Sequence, residues 1–414
     1  MEFKEYTIGE FDTEEQKKFR KEVGEWLDKN ITSELIKGTN ELRVTAYIPG
    51  AREFAEKLGT KGWLCPEWSK EYGGAGLPVG YRSIVAEEIS KRVLFGPGFL
   101  GGLTGGVAGP VIMEHGTPEQ KKEWLPKIAA GAQFALGYTE PNAGTDLASL
   151  QLRATSDLHA TSDRDDYIVN GQKMFSTGAH FARYHWLAVR TNPEMPKHKG
   201  VSMIIADLTA PGVTVTQLTT IAGERTNEVF YDNVRIPKKN RIGPEGEGWS
   251  IIRTALVAER GDLGTFPWPK ILVNDLIQYA RETKRGGKPL FEDPLVWQPL
   301  AQLATEVNIL RLFNLRVGWM VEKGIDPDWT AGEAKIYESE LSQRIANPGM
   351  NILGLYGQLE PGSKYAQLKG NIELAYRAMV VRSFGGGSNA MLRSNMATRG
   401  MGLPREPRLV MQKK

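Results

Sequence analysis

The sequence predicts an α+β protein in three parts: an N-terminal helical domain over 1–135, a middle antiparallel β-barrel or sandwich domain over 136–245, and a C-terminal antiparallel four-helix bundle over 246–414. Three observations predict it. Apolar residues recur at helical spacing up to about residue 135. Short runs rich in Val, Ile and aromatic residues, separated by Gly, Pro, Asn and Asp, fill the middle. Long 3/4-spaced apolar stripes return after about Gly246. The length agrees, because 414 residues are enough for two or three domains of about 150.

The elements follow in order. Thr13 and Gln16 have capping-box spacing, and Phe19, Val23, Trp26 and Leu27 keep a helical period after them. Thr117-Pro118-Glu119-Gln120 marks a second helix start, with a cap residue, Pro at the first helical position and Gln three residues after the cap. YIVNG, HWLAVR, VSMIIADL, GVTVTQL and NEVFYDNVRIP read as strands, and the polar stretch 156–166 as a hairpin loop or small insertion. Ile271, Leu272, Leu276, Ile277 and Ala280 mark a helix. Leu300, Leu303, Val307, Leu310, Val317 and Val321 mark a longer one, interrupted at Asn314, with a turn over Gly324–Trp329.

Composition excludes several classes. Lys and Arg number 52 against 49 Asp and Glu, so the net charge of +3 carries no nucleic-acid or membrane footprint. A lone cysteine, Cys65, leaves no internal disulfide framework and no Cys-based zinc site. No apolar run approaches the length of a membrane span. The acidic N-terminus resembles neither a transit nor a signal peptide, so a cytoplasmic location is expected. The five histidines, His115, His159, His180, His185 and His198, form no H-E-x-x-H pair, and no metal site is expected. Gly96 to Gly101 matches G-x-G-x-x-G, but it follows no strand and holds Pro97, so it is not a dinucleotide loop.

The glycine-rich stretches 93–110 and Phe384–Gly387 then need another reading. The first suits a tightly packed helical region where missing side chains make space. The second gains its meaning from a resemblance. FALGYTEPNAGTDLA (134–148), NGQKMFSTGA (170–179), EVFYDNVRIP and GPEGEGW together resemble the acyl-CoA dehydrogenase family, over nearly the whole chain. The resemblance implies bound FAD without a Rossmann fold. A carboxylate removes the α-proton of an acyl-CoA thioester while the β-hydrogen leaves as hydride to the flavin. It places Leu136, Tyr138 and Thr139 at the flavin edge, Gly144 and Thr145 at the FAD pyrophosphate, and Phe175 and Thr177 beside the isoalloxazine. Lys284, Arg285 and Gly386 complete the implied cofactor contacts, and Thr145, Arg260 and Gly385 the substrate contacts.

Many members carry their base in an aromatic-Glu-Gly-Thr segment near the C-terminus, where this chain has Phe384-Gly385-Gly386-Gly387. Others carry it on a helix after the β domain, and Glu259 matches that position. In an apolar pocket its pKa would rise, making it a stronger base. A glycine at 385 also enlarges the acyl pocket for a bulky, branched or cyclic group. Two segments that in the family reach a neighbour's FAD depart here, at Glu282–Gly287 and Asn351–Leu355. The resemblance therefore implies an acyl-CoA dehydrogenase passing electrons to an electron-transfer flavoprotein, as a homotetramer or as a heterotetramer with a homologous subunit. Two alternatives remain: a non-catalytic or half-site partner subunit, and a flavin oxidase or monooxygenase on the same fold.

Overall fold

The computed structural model describes residues 12–36, 50–93, 104–157, 165–263 and 268–405. The N-terminal helices are α1 (Glu14–Asn30), α2 (Ala51–Thr60), α3 (Gly80–Ser90), α4 (Gly109–His115) and α5 (Pro118–Ala129). Both expected capping boxes form. Gln16 N donates to Thr13 Oγ1 at 3.2 Å and Thr13 N to Gln16 Oε1 at 2.9 Å, and Thr117 and Gln120 repeat the exchange at α5. Val23, Leu27, Phe54, Leu58 and Ile89 pack α1, α2 and α3 together. Of the glycine-rich stretch, residues 94–103 lie outside the described residues; Thr104–Ala108 is a π-helical turn running into α4.

The middle part is one eight-stranded sheet: β1 (Phe134–Gly137), β2 (Arg153–Ser156), β3 (Asp166–Lys173), β4 (Tyr184–Arg190), β5 (Val201–Asp207), β6 (Val213–Thr219), β7 (Arg225–Pro237) and β8 (Arg241–Ile242). Its order is β6-β7-β3-β2-β4-β5-β8, with β1 beside β4. The sheet is mixed rather than wholly antiparallel. Both β1 and β2 run parallel to β4, because the β2–β3 hairpin intervenes and returns the chain in its starting direction. Residues 158–164 lie outside the described residues, but Asp157 N donates to Asp166 O at 2.9 Å, closing the expected hairpin.

Strand β4 is covered on both faces, which is why HWLAVR reads as a continuous run rather than an alternation. Leu187 and Val189 face a core inside the sheet, with Val169, Val229 and Tyr231. Trp186 and Ala188 face a second core that draws Val111 and Trp124 from the N-terminal helices and Ile251, Ile252 and Ala255 from the helix after the sheet.

That helix is α6 (Gly248–Leu263), followed by α7 (Trp268–Glu282), the hairpin β9 (Lys284–Arg285) and β10 (Lys288–Pro289), α8 (Pro294–Glu322), α9 (Asp328–Leu353), α10 (Asn371–Ala378) and α11 (Asn389–Asn395). Leu272, Leu276, Leu300, Leu303, Leu341 and Ile345 form the core of this part. On α8 the expected stripe is buried at Leu300, Leu303, Leu310 and Val317, while Val321 near its end is exposed. The expected turn is shorter than read, since Asp328 and Trp329 already belong to α9. Another face of α8 carries Leu312, Leu315 and Trp319, 64%, 57% and 52% exposed. No helix among the described residues is long and apolar enough to cross a membrane, and no group of His, Cys, Asp or Glu there could hold a metal ion.

Candidate active site

Two segments leave the sheet side by side: Tyr138–Glu140 after β1 and Met174–Thr177 after β3. They are clamped by a buried ion pair. Glu140 accepts from Lys173 Nζ at 2.7 Å, and its carboxylate also accepts the backbone N–H groups of Gln151 (2.5 Å) and Leu152 (2.9 Å). Lys173 Nζ donates in addition to Tyr138 O at 3.0 Å, and Met174 N donates to Thr139 O at 2.9 Å. Lys173 is fully buried, and desolvation pulls its pKa down to about 8 against the opposing pull of Glu140.

The second segment holds an uncommon backbone. Phe175 sits at φ +58°, a left-handed conformation that costs a bulky residue free energy, and the residue is 54% exposed. The neighbouring bonds keep it there. Ser176 N donates to Asn227 O and Asn227 Nδ2 to Ser176 O, both at 2.9 Å. Ser176 Oγ lies 3.1 Å from His185 Nε2, whose other ring nitrogen is 2.6 Å from the Tyr231 hydroxyl. Thr177 Oγ1 pairs with Thr226 Oγ1 at 3.3 Å. The imidazole presses so closely on β1 that a Cβ at Gly137 would stand 2.7 Å from Nε2, which explains the glycine.

Burial of His185 pushes its pKa down to about 3. An unfolded histidine titrates near 6.5. The unfolded chain therefore binds the extra proton first, and the stability that the neutral ring contributes above pH 6.5 is lost as pH falls toward 3, by roughly 1.4 kcal/mol per unit. Melting temperature measured from pH 7 to 4 is expected to fall, and His185→Gln to flatten that slope. An unchanged slope in the variant would assign the acid sensitivity to other groups.

Glu259 stands on α6 one turn beyond Ala255, which packs in the same core as Tyr138. It is half-buried, and its negative charge reaches the Tyr138 phenol, adding to the burial that raises the tyrosine pKa. Trp186 Nε1 donates to that phenol oxygen at 3.0 Å. The structure thus brings Glu259, Tyr138, Thr139, Phe175 and Thr177 to one end of the sheet, with Leu136 on β1 leading into them. Gly144 and Thr145 lie exposed on the loop that follows Glu140.

The remaining expected residues lie apart from this cluster of bonds. Lys284 and Arg285 are exposed on the β9–β10 hairpin, whose turn is made by Gly286 and Gly287 at positive φ. The side chain of Arg260 lies outside the described residues. Gly385 and Gly386 follow α10, and Lys335 of α9 holds that turn from within, Nζ donating to Gly387 O at 2.8 Å and Asn389 Oδ1 at 2.9 Å. The backbone does not demand glycine at 385. A Cβ there would meet only Val381 O, at 3.2 Å, a tight contact that a larger residue would need a shift of a few tenths of an ångström to relieve.

The arrangement suits a flavin nucleotide. An exposed aromatic face at Phe175, the hydroxyls of Thr139 and Thr177, and a loop at Gly144 where a Cβ would meet nothing within 4 Å fit a planar ring with a polar edge and attached phosphates. Sequence reasoning missed Glu140, Lys173 and His185. The first two lie inside the quoted motifs, but nothing local marks a lysine as buried.

Comparison with known proteins decides the family. Residues 13–132, 135–234 and 246–401 match the N-terminal, middle and C-terminal domains of acyl-CoA dehydrogenase. The acyl-CoA dehydrogenase FadE26 of Mycobacterium tuberculosis is 35% identical over 406 residues, 96% of this chain and 99% of that protein. The chain belongs to the acyl-CoA dehydrogenase family. It is an oxidoreductase of that family, whose members are flavoproteins. Among solved structures, a steroid ACAD named Tcur3481-Tcur3483 is similar with a TM-score of 0.84 and 34% identity, covering 95% of this chain and 99% of that one. The ChsE4-ChsE5 complex from Mycobacterium tuberculosis is similar with a TM-score of 0.83 and 35% identity over the same shares.

Proposed function

We propose that this acyl-CoA dehydrogenase desaturates a bulky, cyclic or branched acyl-CoA thioester between Cα and Cβ, with Glu259 as the base. One observation carries the reading: Glu259 faces the Tyr138 end of the site from α6, while Gly385 offers no carboxylate. Leu136, Tyr138, Thr139, Gly144, Thr145, Phe175 and Thr177 would hold FAD, which supplies a two-electron acceptor when bound. Glu259 takes the α-proton onto a carboxylate oxygen. Thr139 and Thr177 orient the cofactor edge, and the Glu140–Lys173 clamp keeps their two segments in register. Thr145, Arg260 and Gly385 are assigned to the acyl-CoA, and Lys284, Arg285 and Gly386 to further cofactor contacts. The polycyclic substrate class draws support from the similarity to a steroid ACAD and from the missing side chain at 385. Electrons would pass to an electron-transfer flavoprotein in the cytoplasm.

The chain would work in an oligomer. Leu312, Leu315 and Trp319 form an exposed apolar stripe on α8, of the kind that subunit contacts cover. A half-site role beside a homologous subunit is the second reading. It is favoured by the altered segment at Glu282–Gly287 and by the similarity to the two-component ChsE4-ChsE5 complex.

Anaerobic flavin bleaching against linear, branched, aromatic and polycyclic acyl-CoAs tests both readings. A yellow protein, purified alone, that bleaches with bulky acyl-CoAs is the expected result. A colourless chain that turns yellow only when co-expressed with a homologous subunit supports the half-site reading. Rapid oxygen consumption on adding substrate would overturn the dehydrogenase assignment in favour of an oxidase.

A further inference from the structure

Beside the Phe175–Thr177 turn, Asn227 organises polar groups to which the reading above gives no task. Its amide is fully buried and its orientation is fixed by three partners. Oδ1 accepts from Arg225 Nε at 2.9 Å, and Nε can only donate. Nδ2 therefore faces Ser176 O at 2.9 Å and His180 Nδ1 at 3.2 Å. A ring nitrogen that receives an amide N–H carries no proton itself, so His180 holds its proton on Nε2. Burial and the Arg225 charge keep the ring neutral, its pKa down to about 4.

Donors are thereby left over. His180 Nε2–H and both terminal nitrogens of Arg225 have no acceptor among the described residues. Arg225 is half-buried, and no carboxylate pairs with it there. The adjacent Glu224 acts on Arg377, which is itself bound to Glu373 and Glu360. The unpartnered guanidinium nitrogens are not among the buried unsatisfied atoms, so they are open to a ligand, and their planar donors match carboxylate and phosphate oxygens. Arg225 and His180 lie near enough for the charge of one to act on the other, and Asn227 fixes both.

We propose that Arg225 and His180 form an anion-recognition pair beside the Phe175–Thr177 turn, binding a phosphate or carboxylate oxygen of the ligand held there. The identity of that ligand rests on the flavin and acyl-CoA reading; the donor pair does not. The two available sources are the phosphates of the cofactor and the anionic groups of the acyl-CoA.

The test compares the full-length wild type with Arg225→Gln, Arg225→Lys and His180→Phe. Riboflavin, FMN and FAD are titrated by flavin fluorescence, and inorganic pyrophosphate and coenzyme A by calorimetry. Arg225→Gln is expected to weaken at least one phosphate-bearing ligand tenfold or more while leaving riboflavin unchanged. Arg225→Lys should restore part of the loss, and the salt dependence seen in the wild type should shrink in Arg225→Gln. Losses confined to FMN and FAD assign the pair to the cofactor; losses confined to coenzyme A assign it to the substrate.

Equal binding of every ligand by wild type and all three variants overturns the pair. So does an equal loss of riboflavin, which would mean that Arg225 only shapes the turn. Should Arg225→Gln fail to fold, the comparison of Arg225→Lys and His180→Phe decides by the same criteria. A wild type that binds no flavin, yet loses pyrophosphate or coenzyme A binding on substitution, refutes the flavin reading and keeps the anion pair. One that binds none of these ligands refutes both.

Discussion

Glu259→Gln is expected to slow flavin reduction by acyl-CoA by about 10²–10⁴-fold, the usual contribution of a positioned general base. The change keeps the side chain's size and removes its ability to take a proton. Cofactor binding, measured by the visible flavin spectrum, should therefore survive while reduction in anaerobic stopped flow does not. The geometry makes this a sharp test. Glu259 is presented by α6, whose Ile251, Ile252 and Ala255 are locked in the core shared with the sheet, so the amide variant has little freedom to relocate. Exchange of the α-proton with solvent deuterium should be lost in parallel. Reduction and exchange at wild-type rates would remove Glu259 from the chemistry.

The second large effect is structural. Lys173→Met is expected to destabilise the protein by about 3–5 kcal/mol, because it leaves the Glu140 carboxylate buried without its cation. Combining it with Glu140→Gln should recover part of the loss. The glutamine oxygen can still accept from one of the two backbone N–H groups that the carboxylate oxygens of Glu140 receive separately, and no uncompensated charge remains, so the recovery is partial. Denaturant midpoints of the wild type, each single variant and the pair measure this directly. Flavin should also dissociate more readily from Lys173→Met, since the clamp sets the spacing of the Thr139 and Phe175 segments. A double variant no more stable than Lys173→Met alone would show that the penalty comes from lost packing rather than from the orphaned carboxylate.

The parts of the fold legible in the sequence are those written locally. Thr13 and Gln16, and Thr117 and Gln120, lie three residues apart and close on one another, so spacing alone finds them. Strand composition marks the sheet, but not its parallel pairs, because a strand records its own exposure and not the direction of its neighbour. The same division holds at the site. Thr139, Phe175 and Thr177 are read from motifs. The left-handed backbone of Phe175 and the burial of His185 arise from contacts with Asn227, Tyr231 and Gly137, distant in sequence. Glu140 and Lys173 are separated by 33 positions and carry side chains usually found on surfaces. Only the three-dimensional pairing shows why both are inside.

The core that joins Val111 and Trp124, Trp186 and Ala188, and Ile252 and Ala255 draws on all three parts of the chain. Opening the molecule as rigid lobes would expose that shared apolar packing to water, at a free-energy cost that grows with the area uncovered. Ligands are therefore expected to enter and leave through loop and side-chain movements at the rim, while each part also keeps a core of its own. Trp186, buried at the centre of this junction, should consequently report the loss of the shared packing, read as the fluorescence difference between the wild type and Trp186→Phe among the ten tryptophans.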